Sequence, residues 1–124
     1  MGILKKIRQY IGLVRTMDDR LQKVQQSLGR IESRQLMMQN PQGLGEYEYQ
    51  VYSQWGEDGL IQYLIHKVEI EHRIFVEFGV EKYTESNTRF LLINNNWSGL
   101  VMDGSEQNIQ YVKNVLLLLA SAQQ

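Results

Sequence analysis

Over the first thirty or so residues, apolar side chains recur at alternating steps of four and three: Ile3, Ile7, Tyr10, Val14, Met17, Leu21, Val24, Leu28 and Ile31. This spacing is the a and d seam of a heptad repeat, with Ile7, Val14, Leu21 and Leu28 at a and the other five at d. It predicts one long amphipathic helix whose stripe seeks a partner helix, and hence a homo-oligomer formed through residues 3–31. Leu4, Ile11 and Leu13 widen the stripe near its start, where Lys5, Lys6, Arg8 and Arg15 flank it. A peripheral contact with an anionic membrane surface is therefore the second reading of the same helix, and packing within the chain the third. The pattern breaks at "QNPQGLGEYEY", residues 39–49, where proline and two glycines disfavour continued helix. Three regions result: a coiled-coil-like helix at 1–38, a hinge at 39–49 and a folded part at 50–124.

Beyond the hinge the period changes. Leu60, Ile61, Leu64, Ile65 and Val68 share one face of a helix that Ser53 is placed to cap, with Glu57 and Asp58 in its early turns, where the helix dipole favours negative charge. "RIFVEFGV" is short, β-branched and aromatic, with apolar residues pointing both ways, as in a parallel strand covered on both faces. "SNTRFLLINNN" predicts a helix from about Ser86, "WSGLVMDGS" a second buried strand, and "SEQNIQYVKN" a helix capped by Ser105. Helix, strand, helix, strand, helix is βαβ construction, an α/β class with the carboxyl ends of adjacent parallel strands side by side.

Composition narrows the chemistry only by exclusion. With 124 residues, 43% hydrophobic and 22% charged, the chain is long enough for one modest domain of ordinary soluble character. A formal net charge of −1 gives no basis for nucleic-acid binding, and the absence of cysteine excludes disulfides and thiolate chemistry. No secretory signal opens the chain, so the cytoplasm is the expected location, and the apolar run at 115–120 is far shorter than a membrane span. His66 and Glu69 share a helix face but lack a third ligand, so no metal site is expected. Trp55 and Trp97 read as core anchors.

Both predicted strands end in acid: Glu77 followed by Gly79, and Asp103 followed by Gly104. Asp103 lies 24 residues after Gly79, near the spacing of about 20 at which a second strand presents an acid to ribose hydroxyls. Where a dinucleotide turn would place further glycines to admit a pyrophosphate, this chain has Glu81 and Tyr83, and Glu81 would repel an anion. Glu77, Glu81 and Asp103 together suit a cofactor with a positive centre and no phosphate, such as S-adenosylmethionine, and disfavour NAD, FAD or ATP.

These blocks carry a resemblance. "YSQWGEDGLI", "FVEFGVEKYTESNTRFLL" and "WSGLVMDGSEQNI", in this order over about residues 50–114, resemble the opening blocks of the FkbM-type S-adenosylmethionine-dependent methyltransferases. The resemblance implies a Rossmann-like methyltransferase fold in which Glu77 and Gly79 belong to the first cofactor motif and Asp103 holds the cofactor ribose. It also implies O-methyl transfer to a hydroxyl of a small-molecule acceptor, a sugar or secondary metabolite. No catalytic base is identifiable. The fold of that family has about seven strands and only two are predicted here, so the expectation is a domain truncated after the second strand and inactive alone. The contrasting expectation is an interaction protein that oligomerises through its coiled coil and carries a remnant domain.

Overall fold

The computed structural model describes residues 2–121, with side chains described as far as Leu116; the apolar run at 115–120 is thus described beyond that point only as backbone. The elements run α1 (Ile3–Gln39), α2 (Glu57–Lys67), β1 (Ile74–Phe78), α3 (Arg89–Asn95), β2 (Ser98–Met102) and α4 (Glu106–Ser121), with a single 3-10 turn at Leu44–Tyr47. The two strands pair in parallel, Ile74 opposite Ser98 through Phe78 opposite Met102. The chain is therefore mixed α/β, with a small two-stranded parallel sheet and a long N-terminal helix. Among the described residues no helix is long and apolar enough to cross a membrane.

The heptad stripe lies on α1, which continues eight residues past it. The helix stops at Asn40, whose φ of 47° closes the last turn through its amide to the Leu36 carbonyl, one residue before Pro41. Each of the nine seam residues is exposed, from 47% at Ile7 to 78% at Ile3. Yet α1 is docked, by its other side. Gly29 is buried, Leu36 packs on the cluster of Tyr49, Val51, Tyr52 and Phe90, and the Gln26 amide donates to the Tyr52 hydroxyl. In the seam's own register these are f and b positions, across the helix from a and d. A Cβ at Gly29 would overlap a Val51 methyl and come within 3.2 Å of the Phe90 ring, so close approach here rests on the missing side chain.

The segment after the 3-10 turn is pinned over the start of α2. Ser53 does not cap that helix directly, since α2 opens at Glu57 behind Gly56. Its hydroxyl instead accepts the Asp58 amide at 3.0 Å, while one Asp58 carboxylate oxygen accepts the amides of Val51, Tyr52 and Ser53 at 2.8, 2.6 and 2.7 Å. Asp58 is 1% exposed and Ser53 fully buried. A carboxylate can be buried without a counter-ion when several N–H groups aim at it, which is the arrangement here. Helices α2 and α3 are joined by reciprocal amide bonds between Gln62 and Asn95, at 2.7 and 3.2 Å.

The sheet differs from expectation in one respect. Phe75 and Val101 face the helices, packing with Ile61, Ile65, Leu91, Leu92 and Trp97. Ile74, Val76, Phe78 and Leu100 occupy the opposite face and are exposed. One face of these strands is covered, where an apolar pattern on both sides predicted two. Trp55 departs likewise: it is 78% exposed, whereas Trp97 is a core residue at 8%.

Candidate functional site

The parallel register sets the carboxyl ends of β1 and β2 beside each other, and the Gly79 amide donates to the Met102 carbonyl at 2.8 Å to extend the pairing past the strands. Asp103 follows directly on β2. One of its oxygens accepts the Glu81 amide at 2.8 Å; the other accepts the Ser105 amide at 2.8 Å and the Asn108 side-chain amide at 3.0 Å. The Ser105 amide foremost, then Asn108 and the Glu81 amide, hold this carboxyl below its ordinary value of 3.8, so it is an anion at neutral pH. Ser105 caps α4 as its position predicts, its hydroxyl accepting the Asn108 amide at 3.3 Å.

Glu77, the penultimate residue of β1, reaches the other end of the same loop. Its oxygens accept the Asn87 amide at 2.9 Å and the Thr88 amide at 3.0 Å, together with the Thr88 hydroxyl. Those amides are used by the carboxylate, and α3 accordingly begins at Arg89 rather than near Ser86. The two acids at the strand ends thus clamp the loop at its two ends. An ionised carboxylate offers about four acceptor sites. Three are filled on each, leaving each acid about one more hydrogen bond for an incoming hydroxyl.

The loop between them adopts the backbone of a glycine-rich turn with one glycine. Gly79, Glu81 and Tyr83, at alternate positions, have φ of 68°, 48° and 59°. That region costs an L-residue roughly 1–2 kcal/mol. Glu81 is held there by the Asp103 clamp on its amide. Tyr83 is held by burial: it is 2% exposed, packs with Val80 and Val112, and shares a hydrogen bond of 3.0 Å with the Thr88 hydroxyl. The Glu81 side chain is exposed. A Cβ added at Gly79 or at Gly104 would meet nothing within 4 Å, so the backbone at both strand ends faces open space. Replacing Glu81 by Gly is expected to raise stability by up to about 1 kcal/mol, read as a higher midpoint of thermal unfolding, because the left-handed penalty disappears while the Asp103 bond to the backbone remains.

All five sequence-selected positions, Glu77, Gly79, Glu81, Asp103 and Gly104, therefore lie at the paired strand ends or in the loop between them. Glu81 and Asp103 are brought into contact through the Glu81 backbone. Sequence reasoning passed over Asn87, Thr88 and Asn108, the partners of the two acids. Their signal was short range: "SNT" ahead of an apolar run, and an Asn three residues after the capping Ser105. Arg89 was passed over as well.

Comparison of the chain with known protein families, with curated proteins and with solved structures finds no match in any of the three.

Proposed function

We propose that the α/β part of the chain is the cofactor-binding half of an S-adenosylmethionine-dependent methyltransferase acting on a hydroxyl of a sugar or secondary metabolite. The observation that carries this reading is the alternation of left-handed residues at Gly79, Glu81 and Tyr83 beside an ionised Asp103. A loop with this glycine-like backbone at the end of a parallel strand supports the reading, and its exposed acid disfavours phosphate. Asp103 has acceptor capacity for a ribose hydroxyl, and accepts both hydroxyls of the diol if the Glu81 amide releases it. Glu77 and Glu81 supply negative charge for a sulfonium. Asp103 would hold the ribose of S-adenosylmethionine with Glu77 and Glu81 near its sulfonium; the cofactor would supply the methyl group for transfer to the acceptor hydroxyl, whose proton would pass to solvent, and the residues named here would contribute positioning. They hold the loop and offer no base.

A second reading is favoured by a separate observation. The nine seam residues of α1 are exposed, and where the helix meets the domain, at Gln26, Gly29 and Leu36, it does so by the opposite face, so among the described residues nothing covers the seam. A stripe of period 3.5 fits another helix of that period, and a second copy provides one over residues 3–31. On this reading the chain is an oligomerising protein.

Calorimetric titration of the full chain with S-adenosylmethionine and S-adenosylhomocysteine, run beside sedimentation of the same sample, separates the two. The methyltransferase reading expects binding tighter than about 1 mM, at least tenfold weaker in Asp103→Ala, with no heat from ATP or NAD. No heat from either sulfur compound, together with a stable oligomer, establishes the second reading at the expense of the first.

A further inference from the structure

Arg89 is an ill-placed cation by the fold's own needs. It is the first residue of α3, where the helix dipole disfavours positive charge, and it is 8% exposed. Its Nη1 donates to the Tyr83 carbonyl, and the guanidinium lies over the Tyr52 ring, 4.8 Å from the centroid. Its Nε is buried without an acceptor, and among the described residues no carboxylate pairs with it. A guanidinium cannot shed its proton to escape the cost of burial, and a buried charge is ordinarily paired. Among the described residues, then, this charge has no counter-ion.

The same arginine lines a cavity of about 310 Å³ between α1 and the loop after β1, with Asp18, Gln22, Gln50, Tyr52 and Glu85 among its walls. This volume is at the small end of ligand pockets, which start near 300 Å³. Its charges are unlike: one enclosed guanidinium, and two exposed carboxylates, of which Asp18 accepts the Gln22 amide and Glu85 has no ion-pair partner among the described residues. With Nη1 held by the Tyr83 carbonyl and Nε enclosed, the guanidinium offers a carboxylate in the cavity its charge and its remaining Nη donor, while the two acids repel a phosphate dianion and attract an ammonium. We infer that this cavity binds a free α-amino acid, its carboxylate on Arg89 and its ammonium toward Glu85 and Asp18. Tyr83 and Glu85 lie in the loop that Glu77 and Asp103 clamp, but the cavity is lined by neither of those acids, so an amino acid bound on Arg89 does not depend on the cofactor reading.

The test is calorimetry on the full chain with glycine, L-serine and L-methionine as probes, against acetate, methylammonium and inorganic phosphate. At least one amino acid is expected to bind at about 1 mM or tighter, with acetate and methylammonium at least about tenfold weaker. Arg89→Lys keeps the charge but loses the planar, several-donor head that bonds the Tyr83 carbonyl and faces the cavity at once, and is expected to weaken binding about tenfold; Glu85→Gln, at an exposed position, weakens it several-fold without moving the unfolding midpoint. S-adenosylmethionine carries the same group, so its titration is repeated in Arg89→Lys: affinity unchanged there, while amino-acid affinity falls, assigns the cavity to the free amino acid. An equal loss for both ligands overturns that assignment. Also overturning it are absence of heat from all three amino acids up to about 20 mM, phosphate binding tighter than any of them, or Glu85→Gln binding as well as the parent.

Discussion

Replacing Asp58 by Ala is expected to cost about 4–5 kcal/mol, a loss on the scale of the whole stability of a small domain. The carboxylate is the acceptor for three consecutive amides, of Val51, Tyr52 and Ser53, all in buried residues. Removing it strands these donors away from water, and hydrogen bonds to a charged acceptor are worth roughly 1.5–3 kcal/mol each before non-additivity is counted. The segment they anchor carries Tyr49, Val51 and Tyr52, three of the four residues in the cluster that receives α1. Chemical denaturation followed by circular dichroism is expected to show loss of the cooperative transition or a midpoint shifted far down. Asp58→Asn keeps one acceptor oxygen in place and is expected to lose about half as much. Equal losses in the two variants would assign the effect to charge alone, and a loss below about 1 kcal/mol in Asp58→Ala would show that the three amides find other partners.

Gly29→Leu is the second large effect, expected at about 3 kcal/mol and confined to the docking of α1. Overpacking a filled contact typically costs 1–3 kcal/mol, and here the obstacles are a Val51 methyl and the Phe90 ring, both within the core cluster. The helix itself gains, since leucine is a better helix former than glycine. The expected signature is therefore unchanged or increased helicity with faster proteolysis in the 39–49 connection and weaker amide-exchange protection in residues 47–53. Unaltered proteolysis and exchange would mean that α1 docks without needing Gly29.

How much of this was legible in the sequence differs by element, for identifiable reasons. The strands were readable because their apolar runs are short and bounded, and because both end in an acid followed closely by glycine. The α1 seam was readable because nine residues keep one period. The docking face of the same helix was not, because its contacts are made by Gln26, Gly29 and Leu36, a set with no hydropathy contrast. Burial of a glycine and a polar tip is a tertiary fact. Asp58 was assigned to the dipole of α2, where it does sit, but its three amides come from residues five to seven positions earlier, beyond the reach of a capping pattern. The site loop was half legible. Glu81 and Tyr83 stood where glycines were expected, and their residue types gave no hint that they keep the glycine backbone. What enforces it is the Asp103 bond to the Glu81 amide and the burial of Tyr83, both made between distant segments. Arg89 read as one polar residue in a helix, and only its enclosure exposes it as a charge with no counter-ion among the described residues.

Because α1 meets the domain on one side and leaves its seam on the other, the helix acts as a rigid spacer with a fixed phase. From Gln26 to Ile3 it runs roughly 35 Å at 1.5 Å per residue. Each residue also turns the helix by about 100°, so distance and direction are set by the same count. Whatever engages the far end of the seam meets the domain at a defined reach and a defined azimuth around the axis. One residue added between the two would swing the domain by about 100°, whereas seven would lengthen the arm by about 10 Å and nearly restore its heading. Changes in the length of this arm therefore keep its heading only in steps close to whole numbers of turns, such as about seven or eleven residues.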